Sequence, residues 1–319
     1  MRLPPWILML MTVLNVLFAA ACDSRATTTA RLFPLFGPVT NKDIISGHVM
    51  DDRGRAWLMV GGSRLLWIDD ERRTYEAVSI PVPPHEDCWG LARLSDGSLW
   101  TLLGWNIAAQ LATDGSIERS VELSVAHLGL FGAGDRLVFQ RASLPSNTPA
   151  LFSGRPDDAD TARVPWSTLR ARPFDALASG AAAALNLVAC GLSQRAEVPC
   201  WFPDEPVVSL VAPDGRTSRV ELAGLPRVAP ETLINARVPR RPIRDVYVEA
   251  DGTIWVISTG VAPEHSPNVP GGWLLARYSL RGEPIDRRVM PEPVRLILRA
   301  DRGRAVVLTG SGMVSEVRP

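Results

Sequence analysis

The sequence predicts an all-β protein, a six-bladed β-propeller closed by an N-terminal strand, and three observations carry that prediction. The first is a recurring phrase: an apolar strand, a tight Asp/Gly turn, and a second strand opening on an aromatic or branched residue. It reads Val49-Met50-Asp51-Asp52-Arg53-Gly54-Arg55-Ala56-Trp57, then Leu91-Ala92-Arg93-Leu94-Ser95-Asp96-Gly97-Ser98-Leu99-Trp100. It returns as Val246-Tyr247-Val248-Glu249-Ala250-Asp251-Gly252-Thr253-Ile254-Trp255 and fades to Leu298-Arg299-Ala300-Asp301-Arg302-Gly303-Arg304-Ala305-Val306. A hairpin repeated about every 40 to 50 residues marks propeller blades, because one four-stranded sheet cannot bury both its faces and must stack on the next. The second observation is that no helix-period segment of useful length follows residue 22, while 27 prolines and 25 glycines supply the turns that many short strands need. The third is an orphan strand, Thr29 to Leu35, in a chain whose last blade runs out of residues.

Ahead of the blades, Arg2 precedes an apolar run from Leu3 to Ala21 that is broken only by Pro4, Pro5, Thr12 and Asn15. It ends in Phe18-Ala19-Ala20-Ala21-Cys22, which resembles the lipobox of bacterial lipoproteins: small residues before a cysteine that is acylated and becomes the new first residue. The sequence departs from that pattern at Ala19, where the family prefers Leu, and in carrying a single charge before the apolar run. The resemblance implies a lipoprotein signal peptide over residues 1–21, a lipidated tether over 22–28 and the propeller over 29–319. The alternatives are a secretory peptide cut near Ala21 and an uncleaved membrane anchor. All three export the body of the chain, so the expected location is the periplasm or the cell exterior, tethered to the membrane by lipid on Cys22. Asp23 follows the cysteine directly, which resembles the signal that retains enterobacterial lipoproteins in the inner membrane.

Composition excludes some partners. With 34 basic and 34 acidic residues the net charge is +0, which leaves no electrostatic footprint for nucleic acid and no polybasic membrane patch. Lys42 is the single lysine. Arginine in place of lysine reports a GC-rich genome more than a function.

The blades follow in order. Blade one spans inner strand Ile45 to Met50, second strand Arg55 to Val60, third strand Arg64 to Ile68 and outer strand Tyr75 to Ile80. Blade two runs from Cys88 to Leu123 with turns at Asp96-Gly97 and Asp114-Gly115, the pairs that a tight hairpin with positive φ wants. Blade three comprises Leu128 to Phe131, Arg136 to Arg141 and Ala150 to Ser153. Blade four is read as Phe174 to Ala178, Ala184 to Cys190, an excursion over 191–206, and Val207 to Val211. Blade five holds Val246 to Glu249, Thr253 to Ser258 and Trp273 to Tyr278. Blade six has room only for Arg295 to Arg299, Arg304 to Leu308 and Met313 to Val317, so Thr29 to Leu35 is expected to supply its fourth strand. Seven blades is the rival count, should residues 143–173 conceal another.

In a propeller the turns between strands one and two, and three and four, lie on a first face; the remaining loops and the interblade links lie on a second. The long excursions, 143–149, 191–206, 223–243 and 259–272, are all expected on the second face, where recognition usually lives on a rigid scaffold. His85, Glu86, Asp87, His127 and His265 fall there as well. Imidazole and carboxylate groups near a channel suit a divalent metal, although these five carry no ligand spacing. His48, beside Gly47 in an inner strand, reads as packed or channel-lining. Arg237, Arg240, Arg241 and Arg244 form the basic cluster, matched to an anionic ligand or acidic partner surface, or simply a solvated loop. Cys190 and Cys200 are placed to form a disulfide in an oxidising compartment, leaving Cys88 as a buried thiol. A nucleophilic Cys88 served by His85 lacks an orienting third group. Trp57, Trp100 and Trp255 occupy equivalent core positions, whereas Trp105, Trp201 and Trp273 lie in or beside the variable loops.

The phrase of Asp-Gly, a branched residue and Trp, at Ser95 to Trp100 and Ala250 to Trp255, resembles the repeats of NHL-type and gluconolactonase-like six-bladed propellers and of bacterial propeller lipoproteins. That resemblance implies the fold and not an activity. The metal-holding Glu, Asn and Asp set of the gluconolactonase-like enzymes has no placed counterpart here, so no catalytic residue is carried over. Virginiamycin-lyase-like propellers use a channel His with a metal, which directs attention to His127 and His265. Two functions follow: a non-enzymatic envelope-anchored module that binds a protein or glycan with its loop-rich face, or a metal-dependent lactonase or lyase acting at the channel mouth.

Overall fold

The computed structural model describes residues 29–35, 39, 43–84, 86–141, 147–157, 164–172, 186–229, 241–259 and 272–318. Strand β1 (Thr29–Pro34) comes first in the chain and belongs to the last blade. Blade one is β2 (Ile45–Met50), β3 (Ala56–Val60), β4 (Arg64–Asp69) and β5 (Thr74–Ser79); blade two is β6 (Cys88–Arg93), β7 (Leu99–Leu103), β8 (Ile107–Leu111) and β9 (Ile117–Glu122). Blade three is β10 (His127–Ala133), β11 (Arg136–Arg141), β12 (Leu151–Gly154) and the short β13 (Val164–Pro165). In blade four β14 (Ala189–Cys190) pairs with β16 (Val198–Trp201), followed by β17 (Val207–Val211) and β18 (Thr217–Glu221). Between them β15 (Leu192–Ser193) crosses to blade five, running parallel to β19 (Arg241–Val248), which continues into β20 (Ile254–Thr259), β21 (Trp273–Tyr278) and β22 (Pro284–Met290). Blade six is β23 (Val294–Asp301), β24 (Arg304–Thr309), β25 (Met313–Val317) and, antiparallel to β25, β1.

Six sheets give six interfaces. Each consecutive pair of blades shares one buried apolar cluster, and the cluster between blades six and one joins Leu298, Val306, Leu308 and Val314 to Leu58, Leu66 and Ile68. Leu35 is buried in that same cluster, with Leu32 and Phe33 packed against it. The ring is thus closed at residues 29–35, as the shortage of strands after Val294 predicts.

The recurring phrase has a local explanation. Each turn Asp accepts the backbone N–H two residues on, Asp96 from Ser98 at 2.9 Å and Asp251 from Thr253 at 2.8 Å, which rigidifies the hairpin. The Trp that follows is buried, and its indole N–H returns to the same turn: Trp57 to Asp51 at 3.2 Å, Trp100 to Ser98 Oγ at 3.0 Å, Trp255 to Glu249 at 2.6 Å. An arginine then covers each ring, Arg55 at 5.5 Å, Arg119 at 4.8 Å and Arg277 at 5.3 Å from the centroid. Gly282 shows why the outer turns also need glycine. Its φ is +79°, and an added Cβ would lie 1.8 Å from the Glu221 carbonyl of the preceding blade.

Blade four departs from the sequence reading. Ala189–Cys190 is its innermost strand and not its second, and the second strand, Val198–Trp201, lies inside the segment read as an excursion. Its four residues include Pro199, which has no N–H to give the ladder and so resembles loop; its carbonyl nevertheless accepts from Gly191 at 2.8 Å. Residues 191–197 consequently join strands one and two and lie on the first face, so one excursion is not where it was expected. The proposed strand Phe174 to Ala178 lies outside the described residues. Among the described residues, 147–157 and 164–172 complete blade three and no seventh sheet forms.

Deleting β1 exposes the edge of β25 and opens the apolar cluster that joins the ring's ends. A chain beginning at Gly37 is expected to melt about 10 °C below one beginning at Asp23, the drop that a loss of several kcal/mol gives a domain of this size. Equal melting temperatures by circular dichroism would mean that β1 does not hold the ring shut.

Candidate functional site

The six inner strands surround a channel with a cavity at each mouth. Their approach is close because glycines stand where neighbouring inner strands meet: a Cβ on Gly47 would lie 2.3 Å from the Leu91 nitrogen, and one on Gly191 2.1 Å from the Val246 carbonyl. On the first face a cavity of about 660 Å³ is rimmed by the hairpin turns and by residues 191–197. The charges there are paired with one another. Arg93 of blade two reaches Asp52 of blade one at 2.5 Å, Arg299 of blade six reaches Asp70 at 2.8 Å and Glu71 at 2.9 Å, and Arg195 holds Glu197 at 3.1 Å. The Arg93 and Arg299 pairs clasp neighbouring blades, and the Arg195 pair lies within the 191–197 link.

The second-face mouth differs. Its cavity of about 410 Å³ is walled by side chains such as Leu91, Leu130, Phe131, Val188 and Ile243. Trp89 lines it and stacks on Trp105, ring centroids 5.6 Å apart and 24° between planes. Trp105 is 47% exposed in the β7–β8 loop, and Ile44 (63%), Val125 (39%) and Leu187 (38%) are exposed on the same face. Opposite, the Arg244 guanidinium lies 5.0 Å from the centre of the Trp273 ring. Two polar residues stand deeper. His48 of β2 and Asp245 of β19 approach to 3.9 Å between Nε2 and Oδ2. Burial pushes the Asp245 carboxyl above its ordinary range, opposed by the nearby His48 and by the Ile297 amide, which donates to Oδ2 at 2.7 Å.

Among the described residues, those singled out by type do not converge. His127 opens β10 but is fully buried, its ring 5.0 Å from that of Phe139 and its amide bonded to the Trp105 carbonyl. Glu86 and Asp87 lie in the link between blades one and two, Asp87 exposed and Glu86 half-buried. His85, His265, Arg237, Arg240 and Cys22 lie outside the described residues. Of Arg241 the backbone pairs with Thr259, and Arg244 reaches the cavity wall. Among the described residues no three His, Cys, Asp or Glu side chains are grouped to hold an ion. Cys190 and Cys200 are joined by a disulfide between directly opposed residues of β14 and β16. Cys88 is buried at the start of β6, its thiol pushed up to about 12 chiefly by burial, which keeps it protonated and unreactive. Asp245 and Trp89 escaped the sequence reading; the available signal for Asp245 was a lone acid inside the apolar inner strand Ile243 to Val248.

No family model matches the chain, and no curated protein matches its sequence. Solved structures match its fold. Virginiamycin B lyase from Staphylococcus aureus is 10% identical over 92% of this chain and 99% of its own, with a TM-score of 0.52. A DUF4221 family member from Bacteroides vulgatus is 10% identical over 92% and 96% of the two chains, with a TM-score of 0.54. A luciferin-regenerating enzyme gives 10% identity, 92% and 96% coverage and a TM-score of 0.52. The chain is a six-bladed β-propeller. At such identities the likeness carries the architecture and no residue roles.

His127 generates a pH test. Burial first, then the neighbouring Arg141, lowers its pKa from 6.5 to about 4. The unfolded chain therefore takes up this proton below pH 6.5 while the folded chain resists it until about pH 4, so stability falls as pH drops through that window. His127→Phe is expected to flatten the decline measured by urea unfolding between pH 7 and 4. An unchanged slope would assign the decline to other groups.

Proposed function

We propose that this propeller is an exported, lipid-anchored binding module that recognises a protein partner in the cell envelope with its second face. The observation that carries the reading is the Trp89–Trp105 stack at the second mouth, flanked by exposed Ile44, Val125 and Leu187. Exposed aromatics anchor both sugars and proteins, but aliphatic neighbours add area only against another apolar surface. That favours a protein over a glycan. The first face is less suited, since its mouth is rimmed by charges that pair with one another, between blades at Asp52 and Asp70 and within a link at Glu197. Export rests on the apolar run ending in Ala19-Ala20-Ala21-Cys22. A lactonase or lyase reading needs a converging donor set, and the described residues do not supply one.

A photo-crosslinking residue at position 125 should capture one envelope protein in living cells, whereas the same residue at position 289, exposed on the outer strand of blade five, should not. Trp105→Ala should cut the capture at least tenfold, as for a central aromatic anchor worth more than 1 kcal/mol. Equal adducts at both positions would remove the second face as a recognition surface, and capture of envelope glycan alone would replace the protein with a sugar. Labelling with a palmitate analogue should tag the wild type and not Cys22→Ser. A tag persisting in the variant would sink lipidation at that residue.

A further inference from the structure

The two cavities share a floor. His48, Leu91, Phe131 and Cys190 line both, so the channel is pinched at the level of His48. The His48 side chain is 8% exposed, and its Nε2 makes no hydrogen bond. A buried ring nitrogen in that condition destabilises the fold unless a bound group satisfies it. Asp245, 3% exposed, stands 3.9 Å away. That gap is too long for a hydrogen bond between the two side chains, yet a single oxygen can sit within hydrogen-bond reach of both. Neither partner is placed to close it: His48 is carried on a strand paired with β3, and the Asp245 carboxyl is tethered to the Ile297 amide of the next blade.

Most other side chains in the cavity wall are apolar; Ser46 donates to the Cys88 carbonyl at 3.1 Å, and the Arg244 guanidinium is laid over the Trp273 ring. Leu130, Phe131, Val188 and Ile243 offer no polar side chain to a ligand, and Gln140 already donates to the Asn186 carbonyl at 2.8 Å. We propose that the channel binds a small uncharged molecule with an apolar body and a hydroxyl group, an alcohol or a phenol, whose oxygen bridges His48 Nε2 and Asp245 Oδ2. A hydroxyl suits the pair because it accepts from the imidazole N–H while donating to the carboxylate. A carbonyl only accepts, and an ammonium group only donates and would have to shed its water among apolar walls. The site lies below the rim and goes beyond the recognition of a protein partner: loss of the rim aromatic Trp105 leaves it in place.

Fluorine NMR titration of the purified chain from Asp23 to Pro319 tests the assignment, with para-trifluoromethylbenzyl alcohol as probe and para-trifluoromethyltoluene as its hydroxyl-free counterpart. The alcohol should saturate and bind at least tenfold more tightly than the toluene. His48→Leu should erase that preference, and His48→Gln, which keeps a hydrogen-bonding group, should retain part of it, each variant first shown to melt cooperatively. In the wild type the imidazole nitrogen signal of His48 should shift with the alcohol and not with the toluene, a readout that needs no variant. Equal affinities for the two probes, no saturable binding of the alcohol, or an unchanged preference in His48→Leu would overturn the proposal. Loss of partner capture in the crosslinking experiment would leave it untouched.

Discussion

The antiparallel pairing of β1 with β25, from Thr29 opposite Val317 to Pro34 opposite Met313, joins the beginning of the described chain to its end. Without it the six sheets form an open stack, in which blades six and one each present an unburied face. With it, Leu35 and the residues beside it complete a cluster that draws on both end blades, and five interfaces become six. Closure also removes the free edge of β25, a row of N–H and C=O groups otherwise open to another chain. Because the apolar interfaces of each blade are made with its two neighbours, strain or loosening at the seam is felt around the whole ring.

Once closed, the ring sets its own bore. Glycine at 47, 90, 132 and 191 lets inner strands of adjacent blades approach to backbone contact, where any side chain would force them apart. The axis is therefore narrow, and the space that remains is divided between two mouths of unlike chemistry. On the first face, short Asp/Gly hairpins project acids that are matched by arginines of the next blade, as with Asp52 and Arg93. Partly exposed pairs of this kind add little stability each, but they occupy the charges of that face. On the second face the links are longer, and they leave Ile44, Trp105, Val125 and Leu187 in solvent.

How much of this was legible in the sequence depends on the range of the interaction. The hairpin phrase was readable because its logic is local: Asp96 bonds Ser98, and Trp100 bonds back to the same turn, all within a few residues. The closing strand was readable by counting. Blade four was not, since Val198–Trp201 is short, contains Pro199, and owes its strand character to pairing on both sides and not to propensity. The candidate site fared worse for the same reason. Choosing residues by chemical type put His127 at the recognition face, yet it opens a strand and turns into the interior beside Phe139. Asp245 acquires its meaning from His48, a residue on a different blade, and nothing in the spacing of the two announces their approach.

The periodic signal in this sequence serves the propeller at two ranges: the turn acids and the arginines over the tryptophans act within a blade, and the buried tryptophans and the glycines of the inner strands act between blades. Those requirements are met by residue classes and not by unique residues, which is why a chain only 10% identical to its structural neighbours can share their architecture over 92% of its length. What is individual to this chain sits where the repeat is broken. Trp105 lies in a loop between strands, Asp245 is the lone acid of its inner strand, and His48 leaves a buried ring nitrogen without a hydrogen bond beside it at the axis. A ring held shut by its ends can tolerate such exceptions, because the six apolar interfaces lie between the blades and the departures are confined to the axis and one rim.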